Sequence, residues 1–237
     1  VGDFNTAIGY ESLLLNEPPG ATDISGNTAI GCYSGKNVTE GLHSTFIGYN
    51  TASNGSNPLT GLGNTAVGSD SGKKLEGSAE YNTLIGYTSG IELSTGSNNV
   101  IIGYNALASG QGGNYNTFVG DHSAYSANCD DCTFLGFKAG YHSNGNGNVY
   151  IGRESGFNTD TSLYNTFVGY RSGFSIVDND SSISSGYSGN VCLGYKSGYN
   201  LKGTSSRNIV IGPDAGPVEI STSDENYNSC RVDSTVM

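Results

Sequence analysis

Two cysteines separated by two aspartates, Cys129-Asp130-Asp131-Cys132, have the spacing that supplies one half of a zinc site. Tetrahedral zinc needs two more thiolate or imidazole donors. The three histidines, His43, His122 and His142, stand far apart, and no second close pair of cysteines accompanies the first. A local disulfide between Cys129 and Cys132 is therefore the preferred reading. The chain has five cysteines, an odd number, so one thiol is left free or bridges two chains. Cys230, near the C-terminus, is the candidate for an inter-subunit bond.

Carboxylates recur at Asp130-Asp131, Asp178-Asn179-Asp180 and Asp224-Glu225. Hard oxygen donors of this kind suit calcium, and Asp178 with Asp180 is the strongest of the three, since one intervening residue sets two carboxylates close together beside serine oxygens. No cofactor other than calcium is expected. No Ser-His-Asp or Cys-His constellation can be assembled from the histidines, so the chain is not expected to be an enzyme. Asn37, Asn54 and Asn179 each open an Asn-x-Ser/Thr triplet, the acceptor pattern for N-glycosylation.

What positions these groups is a repeat. The motif Asn-Thr-apolar-apolar-Gly begins at Asn5, Asn27, Ser44, Asn64, Asn82, Asn99, Asn116, Cys132, Asn148, Asn165, Asn190 and Asn208, most often 16 to 18 residues apart. Its second position is β-branched in every copy, from Thr6 to Ile209, and its fourth is aliphatic in every copy, from Ile8 to Ile211. β-Branched residues favour extended backbone, and in a strand positions two and four share a face. Their nearly constant volume predicts that this face is the packed interior. Position three varies from Ala29 to Phe46 and stays apolar, which predicts a second, outward packing surface with Phe46, Phe118, Phe134, Tyr150 and Phe167 as the assembly face.

Position five is Gly in all twelve copies, as expected where a chain takes positive φ or approaches another backbone closely. A small pair such as Ser71-Gly72 or Ser155-Gly156 follows three residues later, suited to stacked turns. The opening Asn can bond to the same amide one rung away. Tyrosines directly after the repeat glycine (Tyr10, Tyr49, Tyr87, Tyr104, Tyr170, Tyr195) read as a packed aromatic ladder in preference to a sugar-stacking stripe.

These features predict an all-β fold, a parallel β-solenoid or β-roll with one short strand per repeat. The repeats span residues 1–217, and 218–237 form a C-terminal extension. The longer intervals predict loops from Leu13 to Gly26, Ser53 to Gly63 and Ser175 to Gly189. Composition agrees: 37 of 237 residues are Gly, and 13% are charged, against the usual quarter. A net charge of −11 with no basic run argues against a nucleic-acid partner, and no apolar run reaches the length of a membrane span.

The run Asn-Thr-apolar-apolar-Gly-x-x-Ser/Ala-Gly, from Asn5 to Gly216, resembles the repeats of tail-fibre and surface-fibre proteins of phages and giant viruses. It is more distantly similar to the Asn-Ser-Val-Ala-Ile-Gly repeats of trimeric autotransporter adhesin heads, which are shorter and more regular. The ending Asn228-Ser229-Cys230-Arg231-Val232-Asp233 resembles the segment that precedes a self-cleaving chaperone domain in some fibre proteins. The resemblance implies a parallel β-roll that self-associates, as a trimer or a head-to-tail filament, outside the cell or on a cell or virion surface, with a surface glycan or receptor as partner. A carbohydrate-binding or carbohydrate-cleaving solenoid is the alternative. Ice binding needs an outward flat array of threonines, and the threonines here are expected to point inward.

Overall fold

The computed structural model describes residues 4–16, 25–175, 189–199, 201 and 206–216, with the backbone of 230–232. Fifteen short strands are described: β1 (Thr6–Ile8), β2 (Thr28–Ile30), β3 (Thr45–Ile47), β4 (Thr65–Val67), β5 (Thr83–Ile85), β6 (Val100–Ile102), β7 (Thr117–Val119), β8 (Thr133–Leu135), β9 (His142–Ser143), β10 (Val149–Ile151), β11 (Asn158–Asp160), β12 (Thr166–Val168), β13 (Val191–Leu193), β14 (Ile209–Ile211) and β15 (Cys230–Val232). The twelve motif strands and β15 form one parallel sheet, while β9 and β11 pair separately. The chain is a β-solenoid in which each motif supplies one rung, and pairing runs motif to motif without slip: Thr6 lies opposite Thr28, Ile8 opposite Ile30, and Val149 opposite Thr166.

Both ends of each strand are set by backbone that leaves the extended region. The residue before the motif has positive φ in every one of the twelve coils, whether it is Gly (Gly26, Gly63, Gly147, Gly189) or a residue with a side chain such as Tyr81, Tyr115 or Tyr164. A left-handed conformation costs a non-glycine residue roughly 1–2 kcal/mol. The offset is visible, because these residues donate their N–H to the previous coil, as Tyr81 does to Leu62 O at 2.9 Å and Tyr115 to Ser97 O at 3.1 Å. At the other end the motif glycine has φ near +134°, and a Cβ there would fall 2.2–2.7 Å from the carbonyl oxygen of the glycine in the next coil. Both reasons anticipated for an invariant glycine therefore hold at one position.

Two polar ladders run through the interior. Each motif Asn from Asn5 to Asn190 accepts a hydrogen bond on Oδ1 from the backbone N–H of its counterpart in the next coil, as from Asn27 to Asn5, Asn99 to Asn82 and Asn208 to Asn190, at 2.8–3.1 Å. Ser44 substitutes its Oγ as acceptor for Asn64 N–H. The second ladder is made by the small residue three positions after the glycine. The hydroxyls of Ser34, Ser71, Ser89, Ser155, Ser172 and Ser197 donate to the carbonyl of the third motif residue one coil on, at 2.7–3.0 Å. Buried polar groups cost about 1–3 kcal/mol when left unpaired, so these ladders are what permits so polar a sequence to have an interior.

The facing of the strands is the reverse of the expectation. Position three is the interior: Phe46, Phe118, Phe134, Tyr150 and Phe167 are 0% exposed and cannot form an outward assembly face. Positions two and four point out, with Thr83 and Thr117 half-buried and Ile8, Ile30, Ile47, Ile85 and Ile151 exposed. The physical reason is that each coil encloses a small volume filled jointly by position three and a back wall. Leu84 faces Gly90 in a coil that also buries Leu93; where position three is Phe134, Tyr150 or Phe167, the facing residue is Gly140, Gly156 or Gly173. A Cβ on any of these three glycines would meet the ring at 2.3–2.4 Å. Varied size is thus the signature of an interior fitted coil by coil. Of the three expected loops, Ser53–Gly63 is partly drawn in, since Leu59 is buried and bridges Val38 and Gly77. Residues 17–24 and 176–188 of the other two lie outside the described residues.

Candidate functional site

The outward residues of the sheet form two columns along the solenoid. One is Thr6, Thr28, Thr45, Thr65, Thr83, Val100, Thr117, Thr133, Val149, Thr166, Val191 and Ile209; the other is Ile8, Ile30, Ile47, Val67, Ile85, Ile102, Val119, Leu135, Ile151, Val168, Leu193 and Ile211. In-register parallel pairing places each on its counterpart at about 4.8 Å. No charged residue enters either column, although the chain carries a net charge of −11. Exposed tyrosines border the face on both sides: Tyr49, Tyr87, Tyr104 and Tyr195 after the glycine corner, and Tyr81, Tyr115 and Tyr164 before the motif. Soluble monomers seldom expose a contiguous apolar strip of this length.

Round the glycine corner lies a second feature. Tyr125, Tyr141, Phe157, Phe174 and Tyr199 stack from coil to coil with ring centroids 4.9–5.1 Å apart and interplanar angles of 10° or less. His122 continues the row toward Tyr104. Beside it the Tyr170 and Tyr195 rings stack at 5.4 Å. The tyrosines after the repeat glycine therefore form a ladder in part, with Tyr87 on Tyr104 as a further stacked pair and Tyr10 edge-on to Tyr33. Rings stacked face on face have no free face for a sugar. The more continuous ladder, four residues further along the coil, was not foreseen; its sequence signal is the aromatic that follows Gly140, Gly156, Gly173 and Gly198.

Cys129 and Cys132 are free thiols, not a disulfide, and both are buried. Cys132 occupies the Asn position of the ladder. Its N–H donates to Asn116 Oδ1 at 2.9 Å, and its sulfur receives the hydrogen bond that an amide oxygen takes elsewhere. The hydrogen bond from Cys129, joined by the Asn148 and Gly147 N–H groups, holds the Cys132 thiol below its ordinary range against the effect of burial. The same contact, together with burial, pushes Cys129 well up. Cys192 is an interior residue at position three, its thiol pushed up to about 12 by burial. Cys230 lies in β15, which pairs with β14.

The remaining sequence candidates are dispersed. Asn37 Nδ2 donates to Asn57 O at 2.7 Å, a bond that a glycan on that nitrogen would displace, whereas Asn54 is exposed. Asn54 lines a shallow groove of about 300 Å³ with Tyr33, Lys36, Asn50, Ser53 and Lys73. Asn179, Asp178 and Asp180 lie outside the described residues. Among the described residues no three metal-ligating side chains converge, and no helix is long and apolar enough to cross a membrane. No protein-family model matches the chain, and neither does any curated protein or solved structure.

Proposed function

We propose that the chain is a non-enzymatic structural solenoid of an extracellular, cell-surface or virion fibre, which self-associates through its outer sheet face and displays its longer loops for attachment. The observation that carries this reading is the uncharged Thr and Ile/Val/Leu face, present in all twelve coils of a chain whose net charge is −11. An uncharged face accepts an identical copy without like-charge repulsion. Twelve rungs at about 4.8 Å make a strip roughly 55 Å long. With its tyrosine borders it offers on the order of 800 Å² per partner, the size of a stable interface. Aromatic borders around an apolar centre also match interface composition. The resemblance to fibre repeats supports the same reading.

Negative-stain imaging tests it. Multi-chain rods about 55 Å long, or filaments of such rods end to end, are expected; single thin particles at every concentration would sink the proposal. A second reading of the same face is water ordering at an ice surface, favoured by the outward threonines of eight coils. Ice crystals that grow unshaped in the presence of the protein would remove it.

A further inference from the structure

One coil breaks the repeat twice. The residue three places before each motif is Gly41, Gly61, Ala79, Gly96, Gly113, Gly145 or Ser162 in the other described coils, and Cys129 in the coil that leads into Cys132. Glycine suits the place: at Gly61, Gly113 and Gly145 a Cβ would fall 1.9–2.5 Å from the carbonyl oxygen of the next coil's counterpart. The second departure is Cys132 itself, which stands where ten of the twelve copies have Asn. A thiol is a weaker hydrogen-bonding group than the amide it replaces. Neither change serves the ladder or the stacking, and positions that break a local rule together are where function is expected.

The two departures meet. Asn116 Oδ1 accepts the Cys132 N–H at 2.9 Å and lies 3.8 Å from Cys129 Sγ, and the two thiols share a hydrogen bond. Cys132 Sγ also donates to Gly145 O at 3.4 Å, taking up the bond that the motif Asn makes through Nδ2 in other coils, as Asn99 does to Gly113 O. The N–H groups of Asn148 and Gly147 donate to the same sulfur. Donors of this kind stabilise a sulfur that carries negative charge. The Asp130-Asp131 bend between the two cysteines comes to the surface with Asp131 exposed, and its carboxylates draw cations toward the pair.

Two thiols and no third donor select the ligand. Among the described residues no three His, Cys, Asp or Glu side chains converge, so zinc, which takes four donors, is left half coordinated here. Cu(I) is soft, favours thiolate and completes its shell with two sulfurs in line. We propose that Cys129 and Cys132 form a two-coordinate site for Cu(I) inside the solenoid. Each thiol gives up its proton to solvent, one Cu(I) takes their place, and the resulting single negative charge is met by the Asn148 and Gly147 N–H groups. No electron is transferred. The site is separate from the outer sheet face and stands whether or not the chain assembles.

The test is anaerobic titration of the reduced full chain with Cu(I) against bicinchoninate as a competing chelator, followed by thiolate-to-copper absorption in the ultraviolet. One Cu(I) per chain held against the chelator is expected, with melting raised by the metal. Cys129→Gly/Cys132→Asn returns both places to the repeat, so it should fold as the parent does and lose both the metal and the rise in melting. Cys32→Ser/Cys192→Ala/Cys230→Ser removes the other three thiols and should bind as the parent does. Should the first variant fold poorly, Cys129→Ser replaces it. A parent that yields all its copper to the chelator, a Cys129→Gly/Cys132→Asn variant that keeps it, a folded triple variant that loses it, or Zn(II) bound more tightly than Cu(I) would each overturn the proposal.

Discussion

The coils from β1 to β6 and those from β7 to β12 share one backbone template and fill it differently. In the first group the interior is Ala29, Phe46, Ala66, Leu84 and Ile101, a mixture of sizes completed by back-wall residues such as Val38, Leu75 and Leu93. In the second it is a continuous stack of Phe118, Phe134, Tyr150 and Phe167, with centroids 4.7–5.0 Å apart. Spacing between copies does not separate them: the 17-residue coils that open at Asn82 and Asn99 hold Leu84 and Ile101, and the 25-residue coil that opens at Asn165 holds Phe167. Where consecutive coils all carry a ring at position three, the rings stack in register. The ladders and the glycine corner make the solenoid, while the interior residue adapts to each coil.

Truncation should separate the two groups most sharply. Phe134→Ala removes a ring packed between Phe118 and Tyr150 and faced by Gly140, which has no side chain to fill the space; a loss of about 3–5 kcal/mol is expected in chemical denaturation. Leu84→Ala should fall toward the lower end of about 2–5 kcal/mol, since the coil before it already has Ala66 at the same place. Equal losses would remove the distinction between the halves.

The Asn ladder should show a smaller effect of either sign. Asn99→Ala strips the acceptor from Asn116 N–H and the donor from Gly113 O inside the solenoid, and about 1–3 kcal/mol should be lost. Cys132→Asn restores an amide where the second group departs from the motif, and a gain of about 1 kcal/mol is expected. Smallest of all is Thr88→Asn. Thr88 is β-branched with φ of 54°, a conformation that asparagine tolerates better, so melting should rise by the equivalent of roughly 0.5–1 kcal/mol.

Architecture was legible in the sequence because repetition multiplies a weak signal. The β-branched second position and the glycine recur in all twelve copies and the ladder Asn in ten, each following from local chemistry. The facing of the strands was not legible, because Phe118 and its neighbours Thr117 and Val119 are all compatible with burial. Size variation, taken as a mark of an adaptable surface, marks an adaptable interior instead. Nor could the thiol at Cys132 be placed, since its role depends on Asn116 and Asn148 in adjoining coils and not on the nearby Cys129 alone.

The outward facing of positions two and four, and their use in assembly, is tested most directly by sedimentation velocity on the parent chain and on Val67→Lys/Ile85→Lys/Val119→Lys. The lysines lie on the solvent side and should leave secondary structure and melting of the single chain nearly unchanged, while the parent sediments as an oligomer and the variant as a 24.5 kDa monomer plus the substituted mass. A parent that stays monomeric at every concentration, or a triple-lysine variant that assembles as the parent does, would contradict it.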